Sequence, residues 1–203
     1  SLPPDADFEI VSETVKKISA LVKDKKIDLN KTFAAFLKGD ESLFDHFEEK
    51  ENIDKQILGF LVYNALQPSL VSFSEMISAN LDKESVWDKG YCPVCGSKPG
   101  LSLFEENGKR FLLCGFCSHK WASKRMYCPF CENSDHETLQ YYNIDNEEEY
   151  RVDVCKKCKK YIKTIDMKKT SRTVYPPIEM RATPYIDVRF NEMGYKHGSE
   201  VED

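Results

Sequence analysis

Apolar residues recur at helical spacing through the first part of the chain. Phe8, Val11, Val15, Ile18 and Val22 fall three or four apart, and Leu21 widens the stripe, which predicts an amphipathic helix. Leu29 to Leu37 predicts a short second helix stopped by Gly39, with Phe33, Phe36 and Leu37 facing inward. Leu43, Phe44 and Phe47 mark a third. Ile53 through Leu66 is apolar on most sides, so it reads as a central helix that Pro68 ends. Leu70 to Leu81 predicts a last amphipathic helix before a linker at Asp82–Ser85. A helical bundle over residues 7–85 is the result.

Beyond that linker the period changes to two. Leu101, Leu103, Phe111 and Leu113 alternate on either side of Asn107-Gly108, a strand–turn–strand pattern of the kind a type I′ turn favours. Tyr142 and Ile144, a polar turn near Asp145-Asn146, then Tyr150, Val152 and Val154 repeat the plan. Tyr161 to Lys163 reads as a further strand, and residues 168–177 as a polar connection ending in two prolines. Thr183-Pro184 opens a final helix carrying Tyr185, Ile186, Val188 and Phe190, and Gly194 closes it. The tail after Gly198 is expected to be loose.

Cysteine decides the chemistry. Eight cysteines form four C-x-x-C pairs with none left over: Cys92/Cys95, Cys114/Cys117, Cys128/Cys131 and Cys155/Cys158. Two sulfurs at i and i+3 can face one ion from a tight knuckle, whereas disulfide scaffolds normally link distant segments. A thioredoxin-type redox pair would occur once, between a strand and a helix. Metal thiolate sites are therefore expected, two of them, because a tetrahedral site takes four sulfurs. Consecutive pairing is favoured, since each long gap holds a hairpin that can join its two knuckles; interleaved and nested pairings remain open. Trp87, Tyr91, Phe116, Trp121 and Tyr127 are expected to shield the clusters, and Trp121 and Arg125, four apart between the two ribbons, are the candidate partner-binding residues. His46, His119, His136 and His197 are read as non-ligands, His197 as solvated.

The chain has 203 residues, of which 41% are hydrophobic and 31% charged, with a net charge of -5. No apolar run reaches the roughly 18 residues of a membrane span, and SLPPDADFEI lacks the basic and apolar regions of a signal peptide. A soluble, cytoplasmic protein is the expectation. Charge also bears on nucleic acid. Residues 87–170 carry 15 basic and 12 acidic side chains, but each four-thiolate site with a divalent ion adds about two negative charges. Strong nucleic-acid binding is not expected, although Lys156, Lys157, Lys159, Lys160 and Lys163 leave a local basic run.

Four strings then match a known family in order. They are Trp87-Asp-Lys-Gly-Tyr-Cys-Pro-Val-Cys-Gly-Ser-Lys-Pro99; Gly108-Lys-Arg-Phe-Leu-Leu-Cys-Gly-Phe-Cys117; Trp121 with Arg125 and Cys128-Pro-Phe-Cys131; and Val154-Cys-Lys-Lys-Cys-Lys-Lys-Tyr-Ile-Lys163. Together they resemble formate dehydrogenase accessory proteins of the FdhE type. The Ala-Leu-x-Pro-x-Leu near Leu70 and the Gly-Tyr near Tyr195 extend the likeness, while Glu132 stands where a small residue is usual.

The resemblance implies an α+β fold: a helical bundle, then two tandem rubredoxin-like Cys₄ modules over residues 86–124 and 125–167, and a helical segment over 178–198. It further implies two iron or zinc ions. It implies a cytoplasmic accessory factor that contacts the catalytic subunit of a twin-arginine-exported formate dehydrogenase. No catalytic dyad, phosphate loop or cofactor fold is visible, so a non-enzyme with no small-molecule substrate is expected. A rubredoxin-like electron carrier and a nucleic-acid-binding ribbon are the competing functions.

Overall fold

A computed structural model describes residues 8–24, 26–81 and 86–199. The linker expected at Asp82–Ser85, the tail beyond Ser199 and the side chains of Phe8 and Val11 lie outside the described residues. The chain divides into two compact units, residues 1–69 and 70–203.

The first unit is helical. It contains α1 (Phe8–Lys23), α2 (Leu29–Lys38), α3 (Ser42–Glu51) and the first part of α4 (Lys55–Ser78). Helix α2 starts where the Asp28 carboxylate accepts the Asn30 and Lys31 amides, and it stops at Gly39, which takes φ 67°. Its buried residues are Thr32 and Ala35, with Phe33 and Phe36 packed at the margin, whereas Leu37 is exposed. The core gathers Leu21, Ile27, Ala35, Phe44, Phe47, Ile53, Leu58 and Val62. Val15, expected in the α1 stripe, is exposed.

Pro68 does not end the central helix. Helix α4 runs through it as 24 residues, joining the two helices expected from sequence. Proline removes one backbone donor and crowds one carbonyl, but a long apolar helix can absorb both. Lys55–Ser78 is the one helix among the described residues long and apolar enough to cross a membrane. Its Ile57, Leu58 and Val62 are buried against protein.

The second unit is built on one sheet. Strands β1 (Pro99–Phe104), β2 (Arg110–Cys114) and β3 (Lys120–Ser123) form the first repeat; β4 (Leu139–Ile144), β5 (Glu147–Cys155) and β6 (Lys160–Asp166) form the second. The spatial order is β3-β2-β1-β6-β5-β4, and the short β7 (Lys196–His197) pairs with β6. All neighbours within a repeat are antiparallel, but the repeats meet through parallel pairing of β1 and β6 at Ser102–Thr164, Leu103–Ile165 and Phe104–Asp166. Period-two alternation sends Leu101, Leu103, Phe111, Leu113, Tyr150, Val152 and Val154 into one core, and Leu112 and Ile162 into a second beside the first cysteine cluster.

The turns differ in detail from expectation. In the first hairpin only Gly108 takes positive φ, at 79°, and its amide donates to the Glu105 carbonyl. The Glu105 amide in turn donates to the Lys109 carbonyl, so the loop is a longer turn closed by a left-handed glycine, not a two-residue type I′ turn. Asn146 takes φ 64° at the second.

Two helices cover the larger core. Helix α6 (Pro184–Glu192) buries Ile186 and Phe190, leaving Tyr185 and Val188 exposed. Helix α5 (Pro176–Ala182) opens the helical segment expected over 178–198, with the proline pair expected to end the connection sitting instead at its first helical positions. Beneath it Glu179 accepts hydrogen bonds from Tyr150 and Arg172, and the Lys163 ammonium donates to Asp187 at 2.8 Å. His197, expected in solvent, is buried. Its Nδ1 lies 2.7 Å from the Ser199 hydroxyl and its ring packs edge-on to Tyr161, because β7 draws it against β6.

Candidate metal centres

Each C-x-x-C pair makes the same knuckle. The residue after the second cysteine is left-handed in all four: Gly96 at φ 76°, Ser118 at 59°, Glu132 at 58° and Lys159 at 57°. The amides of Gly96, Glu132 and Lys159 each donate to the carbonyl of the first cysteine at 2.9 Å. In three knuckles the amide of the first cysteine donates back to a carbonyl just beyond the turn, at Ser97, His119 or Asn133, each at 2.8 Å. Glu132 therefore departs from the expected small residue without altering the loop.

The knuckles pair consecutively. Cys92, Cys95, Cys114 and Cys117 form one group and Cys128, Cys131, Cys155 and Cys158 the other, and the sulfurs of each group all lie within 4.8 Å of one another. Four sulfurs about 2.3 Å from a tetrahedral ion would be separated by roughly 3.8 Å. Cys92–Cys117, Cys128–Cys158 and Cys131–Cys155 are separated by 3.7 Å, and Cys95–Cys114 by 3.4 Å. The donor sets thus fit one tetrahedral thiophilic ion each. No histidine or carboxylate belongs to either group.

Neighbouring donors temper the sulfur charge. The Val94 amide donates to Cys92 Sγ, and the Phe116 and Cys117 amides donate to Cys114 Sγ, at 3.3–3.4 Å. Asn133 Nδ2 approaches Cys155 Sγ at 3.7 Å while also bonding Thr138. Without an ion the crowded thiols share protons unequally. Hydrogen bonds from Cys114, Cys117 and Cys92 hold Cys95 far below the usual thiol range, and those from Cys114 and Cys92 bring Cys117 to about 7. Cys114 is pushed up by the same sharing with Cys117, Cys92 and Cys95. Burial pushes Cys128 up. Ion binding would replace that shared set of protons.

The surroundings of the two groups differ. Trp87, Val94, Phe116, Trp121 and Phe130 pack around the first, leaving Cys95 exposed. Tyr91 is exposed, and the buried Tyr127 donates its hydroxyl to the Asp88 carbonyl. Trp121 is 4% exposed, on β3, with His119 stacked on it at 6.1 Å, and its indole packs beside the first cysteine group. Arg125 is exposed, its guanidinium over the Phe104 ring at 5.5 Å. His119 bonds Ser78, and His46 and His136 are exposed.

Sequence reasoning passed over Arg110. It is 3% exposed and donates to the Ser102 hydroxyl at 2.9 Å, to the Tyr127 carbonyl at 2.7 Å and to the Arg125 carbonyl at 3.3 Å, with Asp153 at 3.4 Å. It joins β2 of the first repeat to the connection and to β5 of the second. Burial lowers its pKa, opposed by Asp153. Gly90 makes a similar tie, since a Cβ there would lie 1.8 Å from the Pro129 carbonyl oxygen of the third knuckle.

Comparison with known proteins agrees with this arrangement. A family model described as "FdhE, central domain" matches residues 91–125, which hold the first cysteine group and the connection through Arg125. A protein FdhE homolog of Aquifex aeolicus is 36% identical over 159 residues, covering 76% of this chain. The chain belongs to the FdhE family. Another FdhE homolog, of Haemophilus influenzae, is 26% identical over 92% of the chain, and protein FdhE of Escherichia coli O127:H6 is 28% identical over 68%. This FdhE-family chain spans only 54%, 62% and 45% of those relatives' lengths. The crystal structure of the FdhE protein from Pseudomonas aeruginosa matches 98% of the chain and 64% of its own, with a TM-score of 0.67 at 24% identity, which shows a shared fold.

Proposed function

We propose that this chain is a cytoplasmic accessory factor for a respiratory formate dehydrogenase, binding the enzyme's catalytic subunit and needed for its activity. In this reading it carries out no catalysis, spans no membrane and binds neither nucleic acid nor a small-molecule substrate as its main task. All eight cysteines act as ligands, Cys92, Cys95, Cys114 and Cys117 holding one iron or zinc ion and Cys128, Cys131, Cys155 and Cys158 the other. The carrying observation is the pair of four-sulfur groups on one sheet in an FdhE-family chain. With a resident ion, each group supplies a closed thiolate site that fixes its ribbon.

Co-purification of the full chain with the dehydrogenase catalytic subunit tests the reading. Arg125 belongs to the client surface in this proposal, being exposed beside the connection that joins the repeats. Arg125→Ala should keep two metals per chain and normal melting while weakening client binding by ~1–3 kcal/mol. Wild-type affinity in isothermal titration would return Arg125 to a purely structural role. A second reading, rubredoxin-like electron transfer, is favoured by the exposure of Cys95 at the edge of the first group. It requires iron, so a red oxidised protein that bleaches on reduction supports it, and colourless zinc-loaded protein from anaerobic native preparations removes it.

A further inference from the structure

The two edges of the sheet are finished differently. Beyond β3 the chain covers its own edge: Val86 bridges Ala122, and the Trp87 amide donates to the Ala122 carbonyl at 3.0 Å. Beyond β4 no strand pairs among the described residues. The Lys156 amide donates to the Thr138 carbonyl, and the register that follows turns the backbone groups of Gln140 and Tyr142 toward β5. Those of Tyr141 and Asn143 therefore face outward.

An open edge is ordinarily blunted by a charge or a proline on the strand itself. β4 carries neither, and Gln140, Tyr141, Tyr142 and Asn143 are all exposed. One tyrosine stands on each face of the strand: Tyr142 sets its ring edge-on to Phe190, and Tyr141, 60% exposed, lies against the Arg151 guanidinium. That guanidinium is paired with Asp153 at 3.0 Å. Charge collects at the two ends of β4 instead. Residues 135–149 hold six acids and no lysine or arginine. Asp135 accepts the Glu137 amide and the Thr138 hydroxyl, and Glu147 accepts the Tyr185 hydroxyl. Asp145 lies 3.6 Å from Arg189 and Glu149 3.8 Å from Arg172, long contacts of the kind that contribute little at a surface. Glu137 and Glu148, one at each end, are exposed and have no ion pair among the described residues.

We propose that β4 is a docking edge, beside which an extended segment of another protein adds one strand, uncharged and β-branched at its centre and carrying lysine or arginine toward both ends. The outward backbone groups of Tyr141 and Asn143 supply its hydrogen bonds, and the two tyrosines flank its alternating side chains. The acids at either end select positive charge. A second copy of this chain is the poorer occupant. Because acids stand at both ends of β4, self-pairing in either direction sets acid against acid. The assignment does not rest on the client proposed above.

The test uses the zinc-loaded full chain at low ionic strength and the blocked nonapeptide acetyl-Lys-Arg-Thr-Val-Thr-Val-Thr-Arg-Lys-amide. Saturable binding with a Kd below about 1 mM is expected. At saturation, amide exchange followed by NMR should slow about tenfold at Tyr141 and Asn143, while Gln140 and Tyr142, already bonded to β5, keep their rates. That alternation separates an added strand from diffuse attraction to the acids. Asn143→Pro removes one outward donor at an edge position, where proline is tolerated, and should weaken binding about tenfold; Asn143→Ala should not. Glu137→Lys combined with Glu148→Lys changes only the surface, so it stays informative should the proline disturb β4. It should weaken this peptide about fivefold and strengthen its counterpart with glutamate at each basic position. No binding at about 1 mM, shifts without the alternation, or equal affinity of the parent chain for the two peptides overturns the assignment. So does a dimer formed by the chain alone through β4, which gives the edge to a second copy.

Discussion

Replacing Arg110 with Met tests how the two repeats are held together. The side chain is almost fully buried and reaches four acceptors from three segments. Methionine preserves much of the apolar volume, so the loss is chiefly electrostatic. The Tyr127 carbonyl and the Ser102 hydroxyl lose a strong donor, at about 1–3 kcal/mol for each buried group left unpaired. Asp153 keeps Arg151 and Thr164, which limits the cost on that side. The desolvation that lowers the Arg110 pKa is relieved and subtracts from the total. A net loss of about 3–5 kcal/mol follows, the range for breaking one partner of a buried charged network. For a domain of this size that lowers the melting temperature by roughly 10 °C. Thermal unfolding of zinc-loaded protein, with metal content measured in parallel, is the assay. Arg110→Lys should recover less than half of the loss, because an ammonium cannot span the same acceptors. Melting within about 2 °C of the parent, with two metals retained in Arg110→Met, would refute the claim that this guanidinium ties the repeats.

Two further outcomes are expected. Cys92→Ser should reduce metal from two ions per chain to one, measured by elemental analysis, while helical circular dichroism persists; loss of both ions, or of neither, contradicts two independent four-sulfur groups. Burial, with Lys163 nearby, holds the His197 pKa down to about 4, so its neutral form is favoured when folded and the contribution is complete above pH 6.5. Below that the unfolded chain takes the proton first, so wild-type stability should fall by about 2 kcal/mol more than that of His197→Phe between pH 7 and 5. A constant difference between the two proteins across that range would refute it, since acid effects on the thiolates are common to both.

Legibility followed the range of the interactions. The knuckles could be read because each is a local turn, and the hairpins joining them because alternation and turn residues lie within a single stretch. The parallel meeting of β1 and β6 could not, since it unites residues 102–104 with 164–166 and no local pattern marks it. Pro68 misled because its local penalty was weighed without the surrounding helix, which continues on both sides. His197 looked like tail, yet a two-residue pairing with β6 buries it. Arg110 sat inside an apolar alternation as an apparent surface charge; only the fold shows which acceptors converge on it. Trp121 was legible as a neighbour of the clusters, but its near-complete burial on β3 depends on the sheet and was not.

The four knuckles also show what sets their shape. Glycine occupies the left-handed position once, at Gly96, and Ser118, Glu132 and Lys159 adopt the same φ despite a side chain. Such a residue costs about 1–2 kcal/mol in the left-handed region, so three of the four loops carry a local penalty. Amide-to-carbonyl bonds across the turns offset part of it, and the same bond to the first cysteine recurs from Gly96, Glu132 and Lys159 whatever the side chain. Alone they are too weak to hold a solvent-facing loop of this kind, since a typical intramolecular hydrogen bond contributes about 1 kcal/mol net. Closing four thiolates on one ion would supply on the order of 10 kcal/mol per site, far more than the strain of its two knuckles. In the proposed ion-bound chain the backbone at these positions answers to the sulfur geometry and not to residue preference. That is why a glutamate and a lysine can stand where glycine stands in the first knuckle.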